Sequence, residues 1–322
     1  MKYKLNTSII KQEGILLFCG KKNFRLPTPQ SAISLEMLEA LSHGISNEEL
    51  QCYKKNPECS HLLELFSNQG LLISVKEHYT ETALEKTYDF LSYHLGKLSN
   101  PFDFHSDIHI GIIGCGGTGA NIAMCLALSG VKRISLIDYD IVDITNLNRQ
   151  FAYDCQDLGA SKTLSLKNKL IRLNPNLSIK TYEQKITKTQ DLNCLSKDIN
   201  FLVSAIDKPA IKASYFTVQY ALNRDIPIIL GAVGYDSFDA GPLLSTLEAK
   251  RNYLSKLTKI LDSETQPVTG SIASTNLMLS AMLANDVTAW FYPFAPINLL
   301  NTRKIYDPSS LALIGETYYG DN

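Results

Sequence analysis

The chain has 322 residues, which at roughly 150 residues per domain points to two domains. A hydrophobic content of 45% with 20% charged residues excludes a disordered chain, and a net charge of −1 leaves no global field to attract nucleic acid or an anionic membrane. Seven cysteines without framework spacing suit a reducing cytoplasm rather than a disulfide scaffold. The start carries Lys2, Lys4 and Lys11 and no apolar core, so it is not read as a secretory signal. Two uncharged runs invite a membrane reading. Residues 108–131 hold six glycines, however, and residues 265–285 are studded with Ser, Thr and Asn. Both are read as buried elements of a folded core, with no membrane partner.

In chain order, residues 4–11 and 15–19 are expected as strands joined at Gln12-Glu13-Gly14, with a short third strand at 24–26. Ile33, Met37, Leu38 and Leu41 share one helical face that Gly44 ends. Ser46 with Glu49 three residues later opens a second helix as a capping box. A third helix over 60–67 stops before Gly70, and 71–75 returns as a strand. Three strands followed by three short helices predict a small winged-helix-like α+β domain over residues 1–78. The stripe Leu84, Tyr88, Leu91, Leu95 and Leu98 is helical and opens a second domain, residues 79–322. There strands at 108–113, 133–138, 178–183, 201–205 and 226–230 alternate with helices at 120–129, 160–173 and 215–222. This βαβα order predicts an α/β fold with a doubly wound, mostly parallel sheet.

The strongest local signal is Gly114-Cys115-Gly116-Gly117-Thr118-Gly119, placed between a strand and a helix. Such glycines allow a tight turn and let backbone N–H groups approach phosphate at a helix N-terminus. Asp138 follows Gly119 by 19 residues at the end of the second strand, where an acid accepts ribose hydroxyls. The bland alternative is an accidental glycine-rich turn. Lys162 falls in the first turn of a helix, where the macrodipole disfavours a cation. A polyphosphate beside it explains the placement better than an exposed surface lysine. Arg149 offers bidentate phosphate contact. Asp207 lies just past a buried strand, placed either to hold Mg²⁺ and face an α-phosphate or to cap the next helix.

The series Ile137-Asp138-Tyr139-Asp140-Ile141-Val142, Asn146-Leu147-Asn148-Arg149-Gln150, Gly159-Ala160-Ser161-Lys162 and Ser204-Ala205-Ile206-Asp207 resembles the E1-like (ThiF/MoeB-type) adenylating superfamily over about residues 108–245. The resemblance implies ATP and Mg²⁺ as cofactors. It implies ribose binding by Asp138, phosphate positioning by Asn146, Arg149, Gln150 and Lys162, and a metal and α-phosphate role for Asp207. The glycines Gly114, Gly116, Gly117 and Gly119 would hold the nucleotide. Within the family a homodimer is usual, and an arginine often precedes the glycine loop. Residues 76–107 contain no Arg, so that role is unassigned or falls to Lys86 or Lys97.

Absences narrow the chemistry. All six histidines (43, 61, 78, 94, 105 and 109) precede the glycine loop, so a His base needs His105 or His109 to fold back. Adenylation needs no such base, since a carboxylate is already a nucleophile. Many relatives carry two Cys-x-x-Cys zinc pairs; none occurs here, so no zinc is expected, and Cys52, Cys59, His43 and His61 are read as core packing rather than a metal cluster. The last cysteine is Cys194, which disfavours a thioester step after the adenylation site. Gly231–Gly234 and Gly241-Pro242-Leu243 match the family's strand and turn before a crossover segment. Here that segment is 247–262, with Lys250, Arg251, Lys256 and Lys259 expected on a solvated basic face or against an acidic peptide.

The N-terminal domain resembles leader-recognition domains of enzymes that mature ribosomally made peptide antibiotics. Such domains bind a precursor's leader as an added strand. The resemblance therefore implies a cytoplasmic enzyme that activates a carboxylate on a precursor peptide. In the pantocin-type members, which fit the missing zinc pairs, this serves condensation and dehydration at glutamate side chains. Activation of a ubiquitin-like sulfur carrier is the alternative. An NAD(P)-dependent oxidoreductase leaves Arg149 and Lys162 without a role, and a non-catalytic scaffold leaves the whole phosphate set unexplained.

Overall fold

The computed structural model describes residues 2–19, 23–75, 81–95, 102, 107–263, 268 and 270–320. His78, Lys97, Leu98 and His105, named above, lie outside these residues. The chain divides into two compact units, Met1–Phe104 and His105–Asn322. The division falls well past the expected boundary at 78/79. The helical stripe belongs to the first unit because it is tied to that unit's strands. Lys4 pairs with Asp89, the Asn6 amide donates to Asp89 O at 2.9 Å, and the Tyr88 hydroxyl donates to Ser74 O at 3.2 Å.

The first unit runs β1 (Lys2–Leu5), β2 (Ser8–Gln12), β3 (Ile15–Cys19), β4 (Phe24–Pro27), α1 (Ala32–His43), β5 (Ile45–Ser46), α2 (Asn47–Tyr53), α3 (Pro57–Gln69), β6 (Leu72–Val75) and α4 (Glu85–Leu95). Its strands form two antiparallel sheets, β5-β1-β6 and β2-β3-β4. The single strand expected over 4–11 is thus two strands in different sheets. Asn6 N–H donates to Leu71 O (2.8 Å), whereas the Thr7 hydroxyl donates to Cys19 O (3.0 Å), so the chain changes sheet between them.

The Ser46–Glu49 capping box is present in both directions, at 3.1 and 2.7 Å. Gly44, at φ +94°, ends α1. The third helix begins at Pro57, three residues earlier than expected, because the Asn56 side-chain Oδ1 accepts from the N–H groups of Glu58 and Cys59. Phe18, Met37, Leu41, Cys59 and Phe66 fill the core, with Phe18 stacked on Phe24 at 4.5 Å between ring centres. Cys59 is buried 3.4 Å from the Ser34 hydroxyl while Cys52 is exposed. Among the described residues no three His, Cys, Asp or Glu side chains gather as a metal site.

The second unit contains β7 (His109–Ile113), α5 (Gly117–Ala127), β8 (Arg133–Ile137), α6 (Lys162–Leu173), β9 (Ser178–Tyr182), β10 (Phe201–Ser204), α7 (Ala210–Arg224), β11 (Ile228–Val233), β12 (Phe238–Leu244), α8 (Leu247–Thr258), α9 (Ala273–Phe291), β13 (Thr302–Tyr306) and β14 (Leu313–Tyr318). They build one eight-stranded sheet in the order β14-β13-β12-β11-β10-β7-β8-β9. The five strands from β11 to β9 are parallel, and β12 to β14 add antiparallel. The parallel part is therefore doubly wound, with its strand order reversing between β7 and β10, where such sheets open a ligand crevice.

Gly241-Pro242-Leu243, expected as a turn, lies inside β12. Gly241 adopts φ +78°, and a Cβ there would meet Thr302 O at 2.6 Å, so only glycine lets the neighbouring chain approach. Residues 273–285 of the second uncharged run lie in α9, which packs on α5, β11 and β12. Gly231 of β11 makes room for Leu279 and Leu283 of that helix. No described helix is long and apolar enough to cross a membrane.

His109 does not fold toward the carboxyl ends of the strands. It sits at the amino end of β7, 2.9 Å from the Ser135 hydroxyl and 3.1 Å from Asp198, which also pairs with Arg133. Burial lowers its pKa, opposed by the Asp198 carboxylate. A lowered pKa means the unfolded chain binds the proton more readily. The stability His109 contributes is therefore full above its ordinary pKa, near 6.5, and is lost as pH falls through the folded value. The melting temperature should drop between about pH 7 and pH 5, and His109→Gln should flatten that drop; a scanning fluorimetry series over pH checks both.

Candidate functional site

The glycine loop leaves β7 at the point where the strand order reverses. Gly114 adopts φ +93°, and a Cβ on it would meet Ala205 O, just past the end of β10, at 2.5 Å. Its N–H donates to Ile137 O at 2.9 Å, so the loop is tied to β8 as well. Gly119 lies so close to Gly114 O that no larger residue fits, which seats α5 tightly against the strand ends. Gly116 is the N-cap of α5 and faces open space, the nearest atom to a Cβ placed there being Gln150 Nε2 at 3.9 Å. These are the three separate demands that a phosphate-binding turn places on its glycines.

Asp138 is placed at the end of β8. One carboxylate oxygen accepts the Cys115 N–H at 2.6 Å and the other accepts the Asp140 N–H at 2.9 Å. Burial pushes its pKa up, against these hydrogen bonds and the nearby Lys162. Lys162 opens α6 almost fully buried, its ammonium 3.2 Å from Asp140. It is not the exposed surface lysine of the bland alternative. Asp140 offsets the unfavourable helix end, and the charge stays beside Asp138 and Cys115.

The segment Asn146–Gln150 folds as a tight turn in which Asn146 builds the backbone. Its side-chain oxygen accepts the Asp143 N–H at 3.1 Å, and its carbonyl accepts from Arg149 and Gln150. Arg149 donates to Thr145 O and Asn148 Oδ1, both at 2.8 Å, and its stem lies against Gly117. Gln150 is buried with its Oε1 unpartnered among the described residues, beside Gly116. The sequence reading missed the start of α9, which closes this corner. Asn276 Oδ1 approaches Gly117, the Ser280 hydroxyl donates to Asn276 O (2.6 Å) and lies 3.1 Å from Thr118 O, and Asn148 Nδ2 donates to Ser271 O (2.9 Å). Its only sequence signal is an uncharged helix whose first turns hold Ser, Thr and Asn.

Asp207 is exposed past the end of β10 and does not cap α7, whose N-cap is Pro209. The helix-cap alternative therefore falls. Its carboxylate accepts no hydrogen bond from any described residue, and its field reaches Tyr139. A single free carboxylate fits Mg²⁺, which takes one or two carboxylates and completes its shell with phosphate oxygens and water. Lys250 departs from the expected basic face. It is buried with its ammonium 3.5 Å from Asp225, and burial lowers its pKa. Lys256 sits over the Tyr319 ring at 4.4 Å, and of the four only Arg251 and Lys259 are exposed without a ring or ion partner among the described residues. Lys86 is exposed on α4 in the first unit.

Gly119→Ala should collapse this geometry, since the added carbon overlaps Gly114 O and must push α5 away from the loop. A loss of nucleotide binding, with a melting temperature lowered by several degrees, is expected from calorimetric titration and thermal melts. A cost of about 2 kcal/mol or more fits backbone overpacking of this kind.

Comparison with solved structures gives whole-chain likeness. E. coli MccB, solved with ATP, covers 100% of this chain and 98% of its own at 21% identity and TM-score 0.72. PaaA covers 98% and 99% at 17% identity and TM-score 0.72. Among curated proteins, the adenylyltransferase and sulfurtransferase UBA4 of Meyerozyma guilliermondii is 32% identical over 121 residues, 38% of this chain and 28% of that protein. The chain spans less than half the length of the curated relatives it matches. The ThiF family model matches residues 104–316, and the chain belongs to the ThiF family.

Proposed function

We propose that the chain activates a carboxylate of a ribosomally made precursor peptide with ATP and Mg²⁺ during maturation of a peptide antibiotic, in the cytoplasm and as a homodimer. The observation that carries this reading is the extent of the likeness. MccB and PaaA match the chain from end to end, the small N-terminal unit included, whereas UBA4 matches 38% of it. MccB has been solved in complex with N-formylated MccA. Recognition of a leader by the first unit follows the same line, with β4 offered as a free sheet edge and exposed Arg25 favouring an acidic leader. The seven unpaired cysteines accord with a reducing compartment.

The chemistry asks little of acid–base groups. A peptide carboxylate oxygen bonds to the α-phosphorus, and the bond to the bridging oxygen breaks with its electron pair leaving on pyrophosphate. The N–H groups at the start of α5 receive phosphate charge, Lys162 and Arg149 neutralise the charge that develops, and Asp207 would hold a magnesium ion, which would supply further charge neutralisation at the phosphates. Glutamate side chains of the peptide, as in pantocin-type condensation and dehydration, are the carboxylates this reading favours. Activation of a sulfur carrier is the second reading, favoured by the UBA4 likeness.

Lys162→Met and Asp207→Asn should each lower ATP–pyrophosphate exchange by about 100-fold or more while melting as the wild type does. Near-normal exchange in either would remove the nucleotide assignment. Arg25→Glu should weaken binding of an acidic leader and its salt dependence without changing ATP affinity, as read by calorimetry. Exchange supported instead by a carrier protein ending in Gly-Gly would favour the second reading.

A further inference from the structure

We propose that the Tyr153 hydroxyl is a positioning group that aims the glycine loop at the nucleotide phosphates. Tyr153 is buried, and its hydroxyl donates to Cys115 O at 2.7 Å with Lys162 O 3.3 Å away. Having one proton, it gives it to the shorter contact. The Cys115 carbonyl and the Gly116 N–H belong to one planar trans peptide and point in opposite directions. A hydroxyl that draws the carbonyl into the core therefore turns the Gly116 N–H outward, toward the open space beside Gly116. The unpartnered Oε1 of buried Gln150 belongs to the amide that borders this space. Burial pushes the Tyr153 pKa far above its ordinary value, so the hydroxyl keeps its proton at any working pH. The same hydroxyl lies against the first residue of α6, which ties the loop to the turn that carries Lys162.

This inference rests on the nucleotide reading above, and the experiment separates the two. ATP and adenosine are titrated calorimetrically, without peptide, into the wild type and Tyr153→Phe, which keeps the ring and removes only the donor. ATP affinity should fall about 3- to 10-fold, the worth of one ordinary hydrogen bond, while adenosine affinity stays unchanged. In turnover the variant should raise KM for ATP more than it lowers kcat. Equal ATP affinity in the two proteins would overturn the proposal, as would an equal loss for ATP and adenosine, since that marks a structural role alone. A wild type that binds no ATP would remove the nucleotide reading and this proposal with it.

Discussion

Cys115 is gripped from both sides. Its N–H is held by the Asp138 carboxylate and its carbonyl by the Tyr153 hydroxyl, and the residue itself is fully buried. A glycine-rich turn has more conformational freedom than any other sequence of its length, so its preorganisation must come from outside the glycines. Here it comes from β8 through Asp138 and from the turn after Gln150 through Tyr153. A buried peptide group left without either partner would be costly, and the two bonds thus select one loop geometry among many.

The rest of the crevice is assembled on this fixed loop. The reversal of strand order leaves the carboxyl ends of β7 and β10 without a crossing helix above them, and Gly114 fills the gap by touching Ala205. α9, far along the chain, packs against α5 and brings Asn276 and Ser280 to the loop while Ser271 takes the Asn148 amide. Side chains separated by more than a hundred residues therefore border one small volume. Hydrogen bonds of ordinary length hold them, each modest alone and cooperative as a network.

The charges around the crevice are arranged by burial. Lys162 is desolvated, yet it has Asp140 in reach and a carboxylate in Asp138 nearby, so its charge is compensated within the fold. The imidazole at the other end of β7 is equally buried but faces Ser135 and Asp198, where it fastens strands together. Two buried ionisable groups of one unit, Lys162 at the start of α6 and His109 at the amino end of β7, thus lie near opposite ends of the strands.

The amino-acid sequence by itself determined the βαβα alternation, the capping box at Ser46, the glycine loop with its acid at Asp138, and the order of the motif residues to Asp207. Those features are local. Periodicity, caps and turn glycines act over a few residues, and the motif spacing follows from one strand–helix unit. Tertiary structure alone decided the rest. The split of residues 4–11 between two sheets depended on hydrogen bonds to Leu71 and Cys19. The place of α4 depended on Lys4, Asn6 and Ser74. The antiparallel extension through β12 tolerates Gly241-Pro242 because Thr302 and Leu299 close on the chain there. Lys250 looked like part of a solvated stripe until packing buried it beside Asp225. Burial, pairing and close approach are properties of residues brought together from distant parts of the chain, and no local pattern encodes them.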